Sequence, residues 1–549
     1  MRYYLLAAVT LLLAACGGGG SSSGGGGAVA APVSITPSQY TTSYLAGTVP
    51  PVIQLVARNT VLISQPVTVV IVDSNGVLLP HGASITQTSN PSGYDSFNVN
   101  LTISPTLKPG HYTGNFSVNI CYDSQCSSQV AGAPFPYPYD ITVSTGNLTA
   151  LSAWPGIADW STFQGNAQHT GFVPVTLDPG QFSTRWAWNT GFIANQPMSP
   201  IVSAGNMVYF CATTNDVYAL NEADGSAAWT YKSSVQTTTA AGSGVAAPVP
   251  ATAAGVVYAP LLNGMVGLNA ATGAVLFQPP ANALSELNQP TVNAGTVYAT
   301  GASGQESTEL FAFNASSGAP VFSADAGAIS YLGLPSFDSS HAYASGGVNL
   351  LQINPATAAI QANIAGPATD GGTGNILGQT VVGASGSVIA LAGVSIINLD
   401  GIGASLVDFN TNTQAVSWSH VGGFFSNPAY ANGVIYIVNS PLGDGQADLE
   451  AVSESTGALL WSWPLPQPAN IGATVYNNSL LITNNLAFVS TNLTGTPLSN
   501  VSATTYAIDL GTQQEVWSYP AAGDLALSAN GVLYINNILT GGLVAINVK

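Results

Sequence analysis

Apolar and polar residues alternate along most of this chain, and one short form of that alternation recurs eight times in its second part. Each copy is an alternating triplet closed by Asn, Asp or Ser. The closing residues are Asn221, Asn269, Asn314, Asn354, Asn410, Ser453, Asp509 and Asn547. Period-two alternation places one side of a strand in a core, and Asn or Asp near Gly favours a tight turn. Each copy therefore predicts a β-strand that ends in a turn.

A large apolar residue follows the closing residue at a fixed distance in six copies. These six residues are Trp229, Phe277, Phe322, Trp418, Trp461 and Trp517. The spacing places the aromatic on the next strand, where it can pack between repeats. A second hairpin, such as residues 204–209 or 431–436, precedes several triplets. Two hairpins per repeat predict four strands, and four-stranded repeats of this length are typical of β-propeller blades.

The sequence also indicates how the ring of repeats closes. The eighth copy stops at Lys549, so its outer strand is missing from the C-terminus. Residues 182–190 (FSTRWAWNT) predict a strand placed before the first repeat, with Trp186 or Trp188 in the position of the missing aromatic. Such an exchange removes an open sheet edge. The prediction is an eight-bladed β-propeller over residues 159–549.

The repeat resembles the family of propellers built of pyrroloquinoline-quinone-like (PQQ-like) repeats, whose consensus is an apolar-Ala-apolar-Asp strand, a Thr-Gly turn and a Trp. Residues 271–273, residues 455–457 and Trp461 match it, and residues 159–171 (DWSTFQGNAQHTG) resemble the segment before the first blade. The resemblance implies the fold rather than one chemistry. The family includes quinoprotein dehydrogenases and the non-catalytic propeller lipoprotein of the outer-membrane β-barrel assembly machinery.

The N-terminus predicts export and lipid attachment. Residues 1–15 contain Arg2 and an apolar run too short to span a bilayer, and residues 13–16 (LAAC) resemble the lipobox of bacterial lipoproteins. Cys16 is then the lipidated N-terminus, and residues 16–31 form a Gly/Ser tether. Because Gly17 rather than Asp follows Cys16, we expect the outer membrane. The alternative is an ordinary secretory signal in which Cys16 is incidental.

Charge excludes one class of partner. The formal net charge is −18 with six Lys and Arg residues, and 5% of all residues are charged. Nucleic-acid binding requires cationic side chains that displace counterions, so no nucleic-acid partner is expected.

A second unit precedes the propeller. Strand-like runs lie at residues 51–57, 67–73, 95–103, 114–122 and 139–143, separated by turn residues. Short strands at this spacing predict an immunoglobulin-like β-sandwich over residues 32–145, followed by a linker over 146–158. Cys121 and Cys126 flank a four-residue turn, which predicts a disulfide in an oxidising compartment. Cys211 is expected to be a buried, unreactive residue.

Catalytic motifs are sparse, and the expectation is a protein that is not an enzyme and holds no cofactor. The quinoprotein dehydrogenases that the chain resembles use a disulfide of adjacent cysteines, and no such pair occurs here. The five His residues lack metal-ligand spacing, and His169 is interpreted as a hydrogen-bonded structural residue. Asp444, Asp448 and Glu450 form a weak calcium candidate beside the simpler interpretation of a solvated loop.

The predicted function is a non-catalytic, lipid-anchored envelope protein, monomeric in itself, whose propeller binds a protein partner as an interaction or assembly scaffold. This step rests on fold analogy and on the missing catalytic set. The alternative is a carbohydrate or small-ligand binding protein, for which Phe424 and Phe425 are the candidate ligand-face aromatics. A quinone-dependent dehydrogenase is a further, weaker alternative.

Overall fold

The computed structural model describes most of the chain and divides it into two compact units. Unit 1 comprises Met1–Gly146 and Trp186–Phe192, and unit 2 comprises Asn147–Arg185 and Ile193–Lys549. The described residues are 3–7, 33–60, 68–88, 96–123, 125–189, 198–212, 216–233, 249–261, 264–278, 290–302, 308–325, 333–346, 349–367, 380–384, 386–393, 404–424, 426–439, 447–466, 480–491, 503–537 and 542–549.

Unit 1 consists of two β-sheets. Their strand orders are β1-β5-β8-β9-β3 and β2-β4-β7-β6, in which β3 runs parallel to β9 and the other pairs are antiparallel. The strands are β1 (Tyr3–Ala7), β2 (Val33–Thr36), β3 (Tyr40–Leu45), β4 (Val52–Asn59), β5 (Thr68–Asp73), β6 (Leu78–Thr88), β7 (Ser96–Ile103), β8 (Gly110–Cys121) and β9 (Phe135–Ser144).

Alternation along the strands builds the core of unit 1. Phe97, Val99 and Leu101 in β7 are buried, while the residues between them face outwards. Strands β2, β3 and β6 were not among the runs predicted from the sequence. Strand β3 is rich in Thr, Ser and Tyr, and β6 contains Pro80 and a register shift, so neither shows a regular apolar alternation.

Unit 2 begins with two 3-10 helices and consists otherwise of four-stranded antiparallel sheets. Sheets 1 to 4 follow one another along the chain. The elements are η1 (Phe163–Gly165), η2 (Pro179–Gln181) and β10 (Ser183–Asn189); sheet 1 with β11 (Val202–Ala204), β12 (Met207–Cys211), β13 (Val217–Asn221) and β14 (Ala227–Tyr231); sheet 2 with β15 (Ala251–Ala253), β16 (Val256–Leu261), β17 (Gly264–Asn269) and β18 (Val275–Phe277); sheet 3 with β19 (Thr291–Asn293), β20 (Thr296–Ala302), β21 (Thr308–Asn314) and β22 (Pro320–Asp325); and sheet 4 with β23 (Ser336–Phe337), β24 (Ala342–Gly346), β25 (Asn349–Ile353) and β26 (Ile360–Ala365).

The remaining sheets repeat this order, and the outer strand of the last one is β10, in which residues 183–185 belong to unit 2 and residues 186–189 to unit 1. The strand order of this last sheet is β10-β41-β40-β39. The strands are those of sheet 5, β27 (Val381–Val382), β28 (Ser387–Gly393), β29 (Ala404–Asn410) and β30 (Ala415–Gly422); of sheet 6, β31 (Ala429–Ala431), β32 (Val434–Asn439), β33 (Asp448–Ser453) and β34 (Leu459–Pro464); of sheet 7, β35 (Leu480–Ile482), β36 (Leu486–Thr491), β37 (Thr504–Asp509) and β38 (Gln514–Tyr519); and of sheet 8, β39 (Asp524–Leu527), β40 (Val532–Asn537) and β41 (Gly542–Asn547).

The repeated triplet forms the third strand of every one of these sheets. Its closing side chain shapes the following turn: Asn269 Oδ1 accepts hydrogen bonds of 3.0 Å from the backbone N–H groups of Ala271 and Thr272. The aromatic on the fourth strand lies opposite the middle residue of the triplet, as Trp229 does opposite Ala219. The middle residue is usually small because the ring occupies that space. The predicted all-β class is therefore confirmed.

Residues 146–158 differ from the predicted linker. The Trp154 N–H donates to the Ala529 carbonyl, and Lys549 Nζ donates to the Ser152 carbonyl at 2.6 Å. This stretch therefore packs as part of unit 2. Among the described residues, no helix has the length and apolarity needed to cross a membrane.

Candidate functional site

Neighbouring sheets of unit 2 are joined by the aromatic residue of the fourth strand. Trp229 Nε1 donates to the Ala270 carbonyl at 2.9 Å, and Trp418 Nε1 donates to the Glu454 carbonyl at 2.6 Å. Each acceptor follows the closing residue of the next sheet. Gly457, at φ 69°, lies against the Trp418 ring, and a Cβ there would come within 2.6 Å of it. The turn glycine thus serves both the turn and the ring of the preceding sheet.

Arg185 makes the corresponding contact between sheet 8 and sheet 1. Its Nε donates to the Glu222 carbonyl at 3.1 Å, and its Nη1 donates to Asn547 Oδ1 at 2.9 Å. The residue is 2% exposed. The sequence suggests Trp186 or Trp188 for the position of the missing aromatic, and at this junction the Arg185 guanidinium provides a donor as the indole does elsewhere. Trp186 is buried and Trp188 is half-buried.

A polar network surrounds this closing contact. Glu222 is buried, and its Oε2 accepts a 2.7 Å hydrogen bond from Asn530 Nδ2. Burial raises the pKa of the Glu222 carboxyl, while Asn530 and the nearby Arg185 act in the opposite direction. Asn536 Nδ2 of sheet 8 also donates to the Ser199 carbonyl beside sheet 1 at 2.6 Å. Charge and hydrogen bonds close the ring where the other junctions use aromatic packing.

Residues 154–177, here called the axial segment, contact the innermost strand of every sheet in turn. The Trp154 N–H donates to the Ala529 carbonyl, which follows β39 of sheet 8, and backbone N–H groups of sheets 1, 2, 4, 5, 6 and 7 donate to carbonyls of the segment. The donor and acceptor pairs are Ser203 and Trp160, Thr252 and Ser161, Phe337 and Ala167, Val382 and Gln168, Tyr430 and Thr170, and Ile482 and Gly171. The segment that resembled a family lead-in therefore runs along the inner strands.

Side chains of the axial segment fill the remaining space at the centre. Thr162 Oγ1 donates to the Pro290 carbonyl and Gln164 Nε2 to the Pro428 carbonyl, both at 3.0 Å. His169 is fully buried, with Nε2 3.0 Å from Thr291 Oγ1. Burial lowers the pKa of His169 to about 4, so the ring is neutral at pH 7. The structure thus places His169 in the hydrogen-bonded structural role predicted for it.

The two ends of the sheets differ in their connections. Because successive strands are antiparallel, the first-to-second and third-to-fourth turns share one end, which we call the tight-turn end. Turns there include residues 205–206 and 432–433. We call the other end the long-connection end, because longer stretches of sequence separate consecutive strands there: residues 232–250 separate β14 from β15, and residues 465–479 separate β34 from β35. Loops that differ in length on a regular scaffold are the usual carriers of binding function.

The predicted ligand-face aromatic Phe424 lies at the long-connection end, between sheets 5 and 6. Its ring is 6.1 Å from the ring of His420, and it is buried. Glu450 is buried nearby: Oε1 accepts a 2.8 Å hydrogen bond from Asn439 Nδ2, and Oε2 lies 3.8 Å from His420 Nε2 without a hydrogen-bond partner. Phe425 lies outside the described residues.

Of the three candidate calcium ligands, the structure describes two, Asp448 and Glu450, and places both on one strand. Asp448 and Glu450 point to the same side of β33, two positions apart, while Asp444 lies outside the described residues. Within the described ranges, no group of three or more His, Cys, Asp or Glu side chains is arranged to hold a metal ion. Glu450 Oε1 accepts a hydrogen bond from Asn439 Nδ2.

The cysteines have two different environments. Cys121 and Cys126 form a disulfide in unit 1, and Asp123 supports the loop between them by accepting four hydrogen bonds from residues 125–128. The bonds from Ser127, the largest cause, hold the pKa of Asp123 at about 2. Cys211 is buried in sheet 1, and burial raises the pKa of its thiol. A protonated, inaccessible thiol does not act as a nucleophile.

Cationic side chains within unit 2 serve the scaffold. Arg185 is held in the closing contact, and Lys232 Nζ pairs with Asp216 Oδ2 at 2.6 Å. Buried carboxylates are engaged as well: Asp408 Oδ1 accepts from Ser387 Oγ at 2.5 Å, and Glu454 Oε2 accepts from Tyr430 at 2.9 Å.

Sequence reasoning missed Arg185 in its closing role and the axial segment. The available signal was Arg185 itself, since an Arg beside the Trp residues of this strand is unusual in a chain with only six basic residues. The axial segment lacks a regular apolar period, and its contacts join residues far apart in sequence. Only the tertiary structure reveals them.

Comparison with known proteins places these features in a family. A family profile described as "Outer membrane protein assembly factor BamB" matches residues 182–361 and 240–463. A europium-containing methanol dehydrogenase is 11% identical with a TM-score of 0.52, covering 71% of this chain and 97% of that one. Quinohemoprotein alcohol dehydrogenase from Comamonas testosteroni is 12% identical with a TM-score of 0.51, covering 71% of this chain and 80% of that one.

A third solved structure, BamB from Moraxella catarrhalis, is 14% identical with a TM-score of 0.46, covering 67% of this chain and 98% of that one. No curated protein matches the sequence significantly. At these identities the two dehydrogenase structures show the fold alone.

Proposed function

The chain belongs to the PQQ-like repeat β-propeller family described as outer membrane protein assembly factor BamB, and from this membership we propose that it is a non-catalytic, lipid-anchored envelope protein whose propeller is a protein-interaction or assembly scaffold. The family match is the observation that carries the proposal. The family is described as one of assembly factors, whereas the dehydrogenases share only the fold with this chain.

The propeller in this proposal has eight blades, each formed by one of the eight four-stranded sheets. Sheet-to-sheet contacts support closure, because Arg185 joins sheet 8 to sheet 1 as Trp418 joins sheet 5 to sheet 6. The exchanged strand β10 covers the outer edge of β41 and gives sheet 8 four strands like the other sheets.

The absence of catalysis remains part of the proposal and has three supports. Cys211 is buried, and Arg185 and Lys232 are engaged with Glu222 and Asp216 respectively. The axial segment is hydrogen-bonded to the innermost strands. A quinone site needs cationic and metal-binding side chains that are free to reach the ligand. Among the described residues of unit 2, Arg185 and Lys232 are engaged in contacts within the scaffold.

Unit 1 is proposed to be an immunoglobulin-like sandwich. The sheet β2-β4-β7-β6 faces a sheet that contains β5-β8-β9-β3, with β3 parallel to β9. Two antiparallel sheets of this kind around one core match that architecture. Strand β1 is then an addition to the edge of the second sheet.

The proposed location is the outer membrane, through lipid on Cys16. Cys16 and the tether lie outside the described residues, so the support is the LAAC sequence and the family match. A Cys16→Ala variant should lose fatty-acid labelling and remain unprocessed, because one thiol carries the lipid. Labelling that persists in the variant would contradict the anchor.

Site-specific photo-crosslinking in the native envelope tests the scaffold role. A crosslinker replaces Val421, which is 73% exposed at the long-connection end, and a matched one replaces the exposed Thr272 at the tight-turn end. We expect a discrete protein adduct from position 421 and little from position 272, because the longer connections form the binding surface. Absence of adducts at both positions, or equal adducts at both, would count against the proposal.

A small-ligand role is the second candidate, favoured by one observation. Among the residues that the structure describes, none donates to the buried Glu450 Oε2, which lies 3.8 Å from His420 Nε2, and the His420 ring lies beside Phe424. A hydroxyl group can donate to such a carboxylate, so a neutral sugar is the expected class. N-acetylglucosamine should shift the His420 ring signals in NMR and leave those of the exposed His111 unchanged. No shift up to millimolar sugar would reject this role.

A further inference from the structure

Strand β5 of unit 1 has a neighbour on each side, and one of them comes from the extreme N-terminus. On its inner side β5 pairs with β8. On its outer side it pairs antiparallel with β1, in a register that matches Tyr3 with Asp73 and Ala7 with Val69. The outer edge of β5 therefore accepts an extended strand over five consecutive residue pairs.

The proposed maturation removes that outer neighbour, and the present inference rests on it. Cleavage before Cys16 takes residues 1–15 away, including all of β1. Strand β5 then becomes the edge of its sheet and presents unpaired N–H and C=O groups.

The exposed edge lacks the features by which proteins usually block strand pairing. Residues 69–72 read Val-Val-Ile-Val, without Lys, Pro or Gly, and the pairing with β1 shows no bulge. Strand β6, at an edge of the other sheet, shows the opposite: it contains Pro80 and a register shift between Leu78 and Ala83. An unprotected apolar edge of this kind favours strand addition.

We propose that, in the mature protein, the outer edge of β5 binds an extended apolar strand of another envelope protein by antiparallel strand addition. Backbone hydrogen bonds provide the affinity, and the apolar side chains of residues 69–72 favour an apolar partner. A second copy of the chain is disfavoured, because two molecules of net charge −18 repel one another. The occupant is therefore a neutral or basic strand.

Peptide binding to two forms of the protein tests this surface. The probe is a fluorescent peptide of residues 2–9 (RYYLLAAV) with a lysine tail, titrated against the chain that begins at residue 16 with Cys16→Ser. We expect saturable binding and slower amide hydrogen exchange at Val69–Asp73. The full-length chain, whose own β1 occupies the edge, should bind the peptide at least about tenfold more weakly.

Two N-methylated peptides separate strand addition from apolar adhesion. One is methylated at the positions of Tyr3, Leu5 and Ala7, and the other at those of Tyr4 and Leu6. Only one of these sets faces β5, so one peptide should lose binding at least about tenfold and the other should keep it. Equal binding of both, no binding of the unmodified peptide, or protection elsewhere than β5 would overturn the proposal.

Two further measurements keep the alternatives apart. Sedimentation that shows dimers of the chain from residue 16, with β5 protected, would identify a second copy as the occupant and overturn the partner stated here. The N-terminus of the membrane-bound protein is read by mass spectrometry. An uncleaved N-terminus would contradict the lipid anchor and leave the edge covered, whereas a cleaved one with no peptide binding would contradict the edge alone.

Discussion

Two junctions of the propeller meet the same geometric demand with different chemistry. Between sheets 5 and 6, Trp418 Nε1 donates to the Glu454 carbonyl; between sheets 8 and 1, Arg185 Nε donates to the Glu222 carbonyl. Both acceptors belong to a buried Glu that follows the closing residue of a triplet. The junctions differ in that only the second contains a cation.

The difference shows why the closing junction tolerates less change. Glu454 is satisfied by Tyr430 and by the Ala384 N–H, so its environment does not depend on Trp418. Glu222 is buried beside Arg185, which favours its charged form. Removal of an indole costs packing and one hydrogen bond, whereas removal of the guanidinium also leaves a buried carboxylate without its cation.

The largest expected effect is that of Arg185→Met. This substitution keeps the length of the side chain but removes the donor and the charge, and we expect the free energy of unfolding to fall by roughly 3 to 5 kcal/mol. Chemical denaturation followed by Trp fluorescence measures it. In the double variant with Glu222→Gln, part of the loss should be recovered. A loss below about 1 kcal/mol would show that the cation does not distinguish this junction.

The second largest expected effect concerns His169 in the axial segment and the dependence of stability on pH. Between pH 6.5 and about 4 the unfolded state protonates His169 and the folded state does not, so stability falls as pH falls through this window. The contribution is roughly 2 kcal/mol between pH 7 and pH 5. His169→Gln should flatten the pH dependence by that amount, whereas His111→Gln, at an exposed site, should keep it. An unchanged slope in His169→Gln would contradict a buried neutral imidazole.

Two glycines with similar backbone angles separate turn strain from ring contact. Gly457 lies against Trp418, whereas a Cβ on Gly205, at φ 58°, would meet nothing within 4 Å. Ala at position 205 costs only the left-handed conformation, about 1 kcal/mol, and Ala at position 457 should cost about 1 to 2 kcal/mol more. Equal melting temperatures of the two variants would show that the ring moves aside freely.

The smallest effect isolates the indole hydrogen bond. Trp418→Phe keeps an aromatic ring over Gly457 but removes the donor to the Glu454 carbonyl, so we expect a loss of about 1 kcal/mol. Phe277 and Phe322 occupy the same position in sheets 2 and 3, which shows that the fold accepts this ring. A loss as large as that of Arg185→Met would remove the distinction between the junctions.

The sequence predicted elements with a strong local period and missed those without one. The triplets ending at Asn221 and Asn547 lie on third strands, and Trp229 and Trp418 lie on fourth strands facing the next sheet, as predicted. Strand β3 and the axial segment were missed because polar residues interrupt their alternation. The candidate site was predicted in part: Phe424 and Glu450 lie near one another, but His420 and Asn439 complete the group through contacts between strands.

Periodicity by itself determined the class, the repeat and the exchanged strand, because alternation and turn chemistry act between residues close in sequence. Tertiary structure decided what the exchanged strand contributes. Trp186 and Arg185 are adjacent in sequence and lie on opposite sides of β10. A hydrophobicity scale would assign the buried contact to the Trp. Arg185 faces the junction because the Glu222 carbonyl and Asn547 Oδ1 are acceptors there, and its guanidinium donates a hydrogen bond to each. That requirement arises from residues far away along the chain, which meet only when the ring closes.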